Sequence, residues 1–125
     1  MSSCPCKSNQ EYAACCGLYL TQGQVAPTAV ALMRSRYTAY TRADVDYLIK
    51  TWDPSTCPPL SKTELQQMRW ISLKIIASKA GLASDDTGIV EFTAYYKLSN
   101  GKVAQLHERS RFCKKAGVWL YQSAD

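Results

Sequence analysis

Hydrophobic positions in the first half of the chain recur at the period of a helix. Thr28 is a favourable N-cap, and the apolar residues behind it follow at steps of three and four. They are Val30, Met33, Tyr37 and Tyr40. Asp44 is placed to begin a second, shorter helix, which ends at the prolines of segment 54–59, and Ser61 and Glu64 have the spacing of a capping box. The segment 28–66 therefore predicts two helices and a further helical turn.

Beyond Arg69 the hydrophobic period changes to the alternation of strands. Three long runs and a short last one are separated by turn signals at 99–101 and 115–117, which predicts an antiparallel meander. The inward faces are predicted to carry Ile71, Leu73 and Ile75 in the first strand, and Val90, Phe92, Ala94, Tyr96 and Leu98 in the second. Helices followed by a curved antiparallel sheet predict an α+β fold, with the helices packed on the concave face of the sheet.

A carboxylate interrupts the inward face of the third strand. Alternation in "LHERSRF" predicts inward side chains at Leu106, Glu108, Ser110 and Phe112, and outward ones at His107, Arg109 and Arg111. An inward Glu108 needs a cationic or hydrogen-bonding partner, and Arg34 or Arg36 of the first helix can supply it. We predict a buried ion pair that joins helix to sheet. The alternative is a ligand pocket, in which Tyr40 or Tyr96 assists Glu108.

The remaining aromatic residues and the lone histidine are interpreted as structural. Aromatic side chains in a chain of this size are usually part of the core, which we predict for Tyr37, Tyr40, Trp52, Trp70 and Trp119. His107 is predicted to be a surface residue. Cys57 and Cys113 are distant along the chain from the other cysteines and are predicted to be ordinary thiols.

Four of the six cysteines lie between Cys4 and Cys16. A turn at Pro5 lets the first two sulfurs face one point, and a helical turn in "QEYAACC" returns Cys15 and Cys16 to the same point. Gly17 is expected to end that turn with a positive φ. Four thiolates at about 2.3 Å from a metal close its first coordination shell, so the spacing predicts one structural zinc per chain.

The redox state of the compartment distinguishes between the possible roles of these cysteines. The first ten residues contain no apolar signal region and no stretch is long enough for a membrane span, so we expect a cytoplasmic protein with reduced thiols. Two disulfides or four unrelated thiols remain the alternative, as does iron in place of zinc. A redox relay is disfavoured because the usual C-x-x-C motif is absent. The net charge of +5 includes no basic run dense enough to indicate nucleic-acid binding.

The cysteine stretch resembles a known zinc motif. Its spacing of C-x-C and C-C across eight residues, with Pro5, Tyr12 and Gly17, is similar to the SEC-C motif of the bacterial preprotein-translocase ATPase. The usual motif has glycines where this chain has Lys7 and Asn9. In that ATPase the metal-binding tail docks on the export chaperone and the ribosome, so the resemblance implies zinc held by Cys4, Cys6, Cys15 and Cys16 and a protein or ribosomal partner.

The whole chain resembles the YchJ-like family of bacterial proteins. The resemblance rests on the order of the elements and on "PTAVALMRSRYTAYTRADVDYLIKTWDPST" and "LHERSRF". It implies a SEC-C knuckle followed by a domain of the nuclear transport factor 2-like fold. Gly23 and Pro27 mark the break between them, so we predict a knuckle over residues 1–24 and a domain over residues 25–125 that folds without the metal. The cone-shaped sheet of that fold often encloses a pocket. Many domains of this fold dimerise through the open sheet face, so a homodimer is also implied.

Two classes of function follow. We predict a non-enzymatic adaptor whose knuckle docks on a protein or ribosomal partner, without a membrane. The alternative is a small-molecule binder or acid–base enzyme that uses the pocket of the cone-shaped domain. The sequence contains no nucleophile–base pair and no cofactor fingerprint, which favours the adaptor.

Overall fold

The structure, a computed structural model, describes residues 3–125, so the first two residues of the predicted knuckle lie outside the described residues. A 3₁₀ turn (Tyr12–Ala14) is followed by helices α1 (Gly17–Leu20), α2 (Ala29–Thr41), α3 (Val45–Lys50) and α4 (Lys62–Gln66). The strands are β1 (Arg69–Ala80), β2 (Thr87–Lys97), β3 (Val103–Lys115) and β4 (Val118–Ala124). The predicted α+β fold is confirmed.

The three predicted N-caps are present. The hydroxyl of Thr28 accepts a hydrogen bond from the backbone N–H of Ala31 at 3.1 Å, and the carboxylate of Asp44 accepts one from Tyr47 at the same distance. Ser61 accepts from the backbone N–H of Glu64 at 3.4 Å. Each cap satisfies an N–H that the first helical turn leaves without a partner, which fixes where α2, α3 and α4 begin.

The four strands form one antiparallel sheet in the order β1-β2-β3-β4, and α2 packs against β1, β2 and β4. The buried core lies between them and includes Leu32, Met33, Tyr37, Leu73, Val90, Phe92, Phe112 and Trp119. In the β2–β3 register Phe92 stands opposite Glu108. The predicted alternation of β3 therefore holds, and Glu108 is on the same face of the sheet as the core.

The predicted inward face of β1 was wrong at its first position. The β1–β2 register shifts between Trp70 and Ser72, which leaves Ile71 as the extra residue of a β-bulge with 42% of its surface exposed. The bulge places Trp70 on the same face as Leu73, and both pack in or against the core. At the end of β2 the predicted inward residue Leu98 lies beyond the strand and is exposed.

The start of α2 is held against the β1–β2 connection by a close backbone contact. The N–H of Ala29 donates to the carbonyl oxygen of Gly81 at 2.9 Å. Gly81 has a φ of +77°, and a Cβ at this position would lie 2.7 Å from that of Ala29. Only glycine therefore fits here without displacing the helix.

Candidate metal centre and interior cavity

The four N-terminal cysteines converge on one point. Their sulfur atoms all lie within 4.8 Å of one another, and the Sγ atoms of Cys6 and Cys15 are 3.6 Å apart. Four sulfurs at about 2.3 Å from one zinc stand about 3.8 Å apart in a regular tetrahedron, so the arrangement fits a metal of this kind. All cysteines in residues 3–125 are free, and 3.6 Å is far longer than a disulfide bond.

Two residues with positive φ shape the loop that presents these sulfurs. Lys7 has a φ of 64° and Asn9 a φ of 69°, the left-handed conformation that glycine adopts without strain. The expectation for Gly17 was wrong, because Gly17 begins α1 instead of ending the turn with a positive φ. Glycine is needed there for another reason: a Cβ would lie 2.6 Å from the carbonyl oxygen of Tyr12.

The knuckle packs directly on α2. Arg34 donates from Nη1 to the carbonyl oxygen of Cys6 at 2.8 Å, and the hydroxyl of Thr38 is 3.8 Å from the Sγ atom of Cys4. The guanidinium of Arg42 lies 3.8 Å from the centre of the Tyr12 ring. Three of the four cysteines, Cys4, Cys6 and Cys16, belong to the same buried cluster as the core of the domain. The knuckle and the domain thus share one hydrophobic core.

Polar contacts around the sulfurs suit a site that carries negative charge. The hydroxyl of Ser8 is 3.1 Å from the Sγ atom of Cys15 and can donate to it as a thiolate. The Cys16 thiol is the main cause that lowers the pKa of Cys6 to about 4, while the same contact and burial raise the pKa of Cys16. A metal cation binds cysteine as the thiolate, so metal binding at this cluster would release protons.

A cavity of about 240 Å³ lies between α2 and the sheet. Half of its lining residues are aromatic, and three others have polar or charged side chains. The lining residues are Met33, Arg36, Tyr37, Tyr40, Trp52, Trp70, Phe92, Ala94, Leu106, Glu108, Ser110 and Tyr121. Of the five residues predicted for a pocket or ion pair, Arg36, Tyr40 and Glu108 line this cavity. Arg34 instead contacts the knuckle, and Tyr96 packs behind Trp70.

Arg36 is enclosed by the wall of the cavity and is only 3% exposed. Its guanidinium lies 4.6 Å from the ring centre of Trp52 and 4.8 Å from that of Tyr121. Nη1 donates to the carbonyl oxygen of Leu48 at 3.0 Å and to the hydroxyl of Thr51 at 2.8 Å. Burial lowers the pKa of Arg36, but these contacts at the C-terminal end of α3 suit a cation.

The predicted ion pair between Glu108 and an arginine was wrong. Within residues 3–125, neither Arg34 nor Arg36 has a nitrogen within 4.0 Å of the Glu108 carboxylate. Oε2 of Glu108 instead accepts a hydrogen bond from the hydroxyl of Ser110 and another, at 3.2 Å, from that of Tyr121. Burial, followed by the nearby Glu108 charge, raises the pKa of Tyr121, so this hydroxyl stays protonated and donates.

Four aromatic residues predicted as core line the cavity, namely Tyr37, Tyr40, Trp52 and Trp70. Tyr40, Trp52 and Trp70 are only partly buried, whereas Tyr37 and Trp119 are buried as predicted. The indole N–H groups of Trp52 and Trp70 are buried and have no hydrogen-bond partner in residues 3–125. Buried polar groups are nearly always paired, so these two set the cavity apart from the rest of the core.

Sequence reasoning missed Tyr121 and Ser110 as functional candidates. The sequence does contain a sign of each: Ser110 shares the inward face of β3 with Glu108, and Tyr121 is two residues after the buried Trp119, on the same face of β4. His107 is on the opposite, exposed face as predicted, where Nε2 lies 2.6 Å from a carboxylate oxygen of Glu91. Cys113 is buried close to Asp53, away from the four-cysteine cluster.

The fold and the cysteine cluster together define a nuclear transport factor 2-like domain that carries a SEC-C knuckle. The family described as "YchJ, middle NTF2-like domain" matches residues 28–124. A UPF0225 protein of Chromobacterium violaceum is 45% identical over 98% of this chain and 91% of its own length. The UPF0225 protein YchJ of Shigella dysenteriae is 40% identical over 94% of this chain and 79% of its own length. The chain belongs to the UPF0225, or YchJ, family.

Two solved structures resemble the whole chain. The solution structure of a SEC-C motif containing protein from Rhodopseudomonas palustris is 31% identical, with a TM-score of 0.87 over 99% of this chain and 98% of that one. The crystal structure of a SEC-C motif containing protein from Psychrobacter arcticus is 28% identical, with a TM-score of 0.78 over 98% and 81%. Among the described residues, no helix is long and apolar enough to cross a membrane.

Proposed function

We propose that this chain is a zinc-stabilised binding protein whose interior cavity takes a small molecule. The main observation behind the proposal is the difference between the four-cysteine cluster and the cavity. The four sulfurs leave no position for a substrate once a metal is bound. The cavity, in contrast, is lined by a carboxylate with hydroxyl partners only and by two tryptophans whose buried indole N–H groups have no hydrogen-bond partner in residues 3–125.

The metal we propose is one zinc per chain, held by Cys4, Cys6, Cys15 and Cys16. Sulfur-only ligation suits zinc and also iron, and a closed tetrahedral shell gives the metal a structural role. Elemental analysis of chelator-free protein should return about one equivalent of zinc. Replacing Cys15 and Cys16 together with serine should remove it, and unchanged zinc content in that variant would contradict the assignment.

The cavity can be tested with the three tryptophans of the chain. Trp52 and Trp70 line the cavity, while the indole N–H of Trp119 donates to the carbonyl oxygen of Pro27 at 3.3 Å, outside the cavity. In an NMR titration with small aromatic fragments, binding in the cavity should shift the indole signals of Trp52 and Trp70 and leave that of Trp119 in place. If no fragment shifted the first two, the cavity would not be a binding site.

The adaptor role predicted from the SEC-C resemblance stays a prediction, as do the cytoplasmic location and the homodimer. Exposed residues of the knuckle support such a partner, because Lys7, Asn9, Gln10 and Glu11 are exposed while three of the four cysteines are buried. A pull-down from bacterial lysate with intact protein and the Cys15→Ser/Cys16→Ser variant tests it. Loss of a specific partner in the variant would support docking through the knuckle, and identical captures would count against it.

A further inference from the structure

We infer that the cavity binds a neutral, planar, nitrogen-containing ring that presents an N–H donor to Glu108. The inference rests on the proposed function and names the class of ligand. Three properties of the cavity support it: the size and aromatic character of the walls, the hydrogen-bonding state of Glu108, and the charge balance set by Arg36.

The size and walls of the cavity favour one small ring. A cavity of about 150 Å³ in a protein interior holds benzene, so about 240 Å³ accommodates a ring with one or two substituents. The aromatic rings of Tyr40, Trp52, Trp70 and Tyr121 offer faces and edges on which a planar π-system packs better than a branched aliphatic group. Leu106 lines the cavity and is 40% exposed, which places the entrance beside β3.

The free acceptor of the cavity is on Glu108. Oε2 of this carboxylate is used by the hydroxyls of Ser110 and Tyr121, while Oε1 has no hydrogen-bond partner within residues 3–125. An ionised carboxylate has only acceptor sites. The ligand group that completes it must therefore be a donor, and an N–H on a ring supplies this at the edge of a planar molecule.

The charge of the cavity favours a neutral ligand. Arg36 carries one formal positive charge and Glu108 one formal negative charge, and no other lining residue is an aspartate, glutamate, lysine, arginine or histidine. A cationic or anionic ligand would add a net charge to a largely apolar interior, where unpaired charge is costly. Arg36 is also enclosed between Trp52 and Tyr121 and already donates to the protein, so it is poorly placed to receive a carboxylate.

The experiment tests matched small-molecule probes on the zinc-loaded chain. Their binding is measured by calorimetry and by the NMR signals of the Trp52 and Trp70 indole groups. The donor probe is 2-aminopyrimidine, and 2-(dimethylamino)pyrimidine is its analogue without an N–H. Benzamidine and benzoate serve as the cationic and anionic rings. We expect 2-aminopyrimidine to bind best, by about tenfold or more over the dimethyl analogue, since a hydrogen bond to a charged group typically gives that factor.

A variant pair assigns the contact. Glu108→Gln should weaken 2-aminopyrimidine binding by about tenfold or more, because it removes the charge and keeps the shape. Glu91→Gln, a carboxylate on the outer face of the same sheet, should bind like the parent. Equal affinity of the two pyrimidines, tighter benzoate or benzamidine, or an unaffected Glu108→Gln would overturn the ligand class while the cavity still bound something. Failure of every probe and fragment to shift Trp52 and Trp70 would overturn the proposed function itself.

Discussion

The knuckle and the cavity lie on different faces of α2 and differ in whether the protein itself provides partners for their polar groups. Arg34 and Thr38 face the knuckle, where four sulfurs lie within 4.8 Å of one another, close enough to bind a metal ion together. Met33 and Tyr37 face the cavity, whose lining includes Glu108, with hydroxyl partners on Oε2 only, and two tryptophans whose buried indole N–H groups have no hydrogen-bond partner in residues 3–125. A site in which the protein supplies every metal ligand has a structural role. A site whose polar groups lack protein partners is suited to bind a small molecule.

Metal loss should have the largest effect, because the knuckle shares its core with the domain. The Cys15→Ser/Cys16→Ser variant should lose zinc and melt well below the parent, since structural zinc sites contribute about 10–16 kcal/mol of apparent binding energy. Cys57→Ser, outside the cluster, is the control and should keep about one equivalent. If residues 25–125 melted unchanged without metal, the knuckle would be the independent unit that the sequence predicts.

Substitution of Arg36 should have the second-largest effect on stability, because Arg36 contacts residues of the cavity wall and is not positioned to contact a ligand. Arg36→Lys keeps the charge but loses the stacking between Trp52 and Tyr121 and weakens the bond to the carbonyl oxygen of Leu48. We expect a loss of about 3 kcal/mol in the free energy of unfolding, measured by denaturant titration. Arg109→Lys on the exposed face is the control, and an equally small change in both would show that Arg36 is not structural.

The loop of the knuckle offers a stabilising change. Lys7 adopts a φ of 64°, which costs a residue with a Cβ about 1 kcal/mol or more. Lys7→Gly should therefore raise the free energy of unfolding of the zinc-loaded chain by about 1 kcal/mol. Lys7→Ala removes the same charge but keeps the Cβ, so it should not stabilise; equal gains from both variants would assign the effect to charge.

Glu108 should have the smallest effect on stability and a large one on binding. Glu108 has no arginine partner within residues 3–125, and a glutamine can still accept from Ser110 and Tyr121. Glu108→Gln should change the free energy of unfolding by less than about 1 kcal/mol. A loss of about 3–5 kcal/mol, the cost of breaking a buried ion pair, would restore the structural role that the sequence favours.

What could be predicted depended on how local each signal is. The four cysteines are within thirteen residues, so their spacing alone was enough to place the sulfurs together, as the caps at Thr28 and Asp44 placed two helix starts. Strand alternation correctly turned Glu108 inward. The loop geometry at Lys7 was harder, because only the resemblance to a motif with glycine there points to it, while the lysine itself gives no sign of a positive φ.

The hydrogen-bond partners of Glu108 could not be predicted from the alternation of hydrophobic and polar residues. Period alone does not fix how α2 is rotated over the sheet, and that rotation sends Arg34 to the knuckle and Arg36 to the end of α3. The bulge at Ile71 was also invisible to a strict two-residue repeat, although it brings Trp70 into the cavity wall. The residues of the cysteine cluster could thus be predicted individually, whereas only the general position of the cavity could be predicted.

The most direct test of the contrast between the two sites is one crystal structure of the zinc-loaded chain soaked with 2-aminopyrimidine. We predict a tetrahedral metal bound to the sulfurs of Cys4, Cys6, Cys15 and Cys16, with no exogenous ligand. The soaked ring should lie in the cavity with an N–H directed at Oε1 of Glu108. A metal with an open position occupied by the soaked ring, beside an empty cavity, would contradict the account.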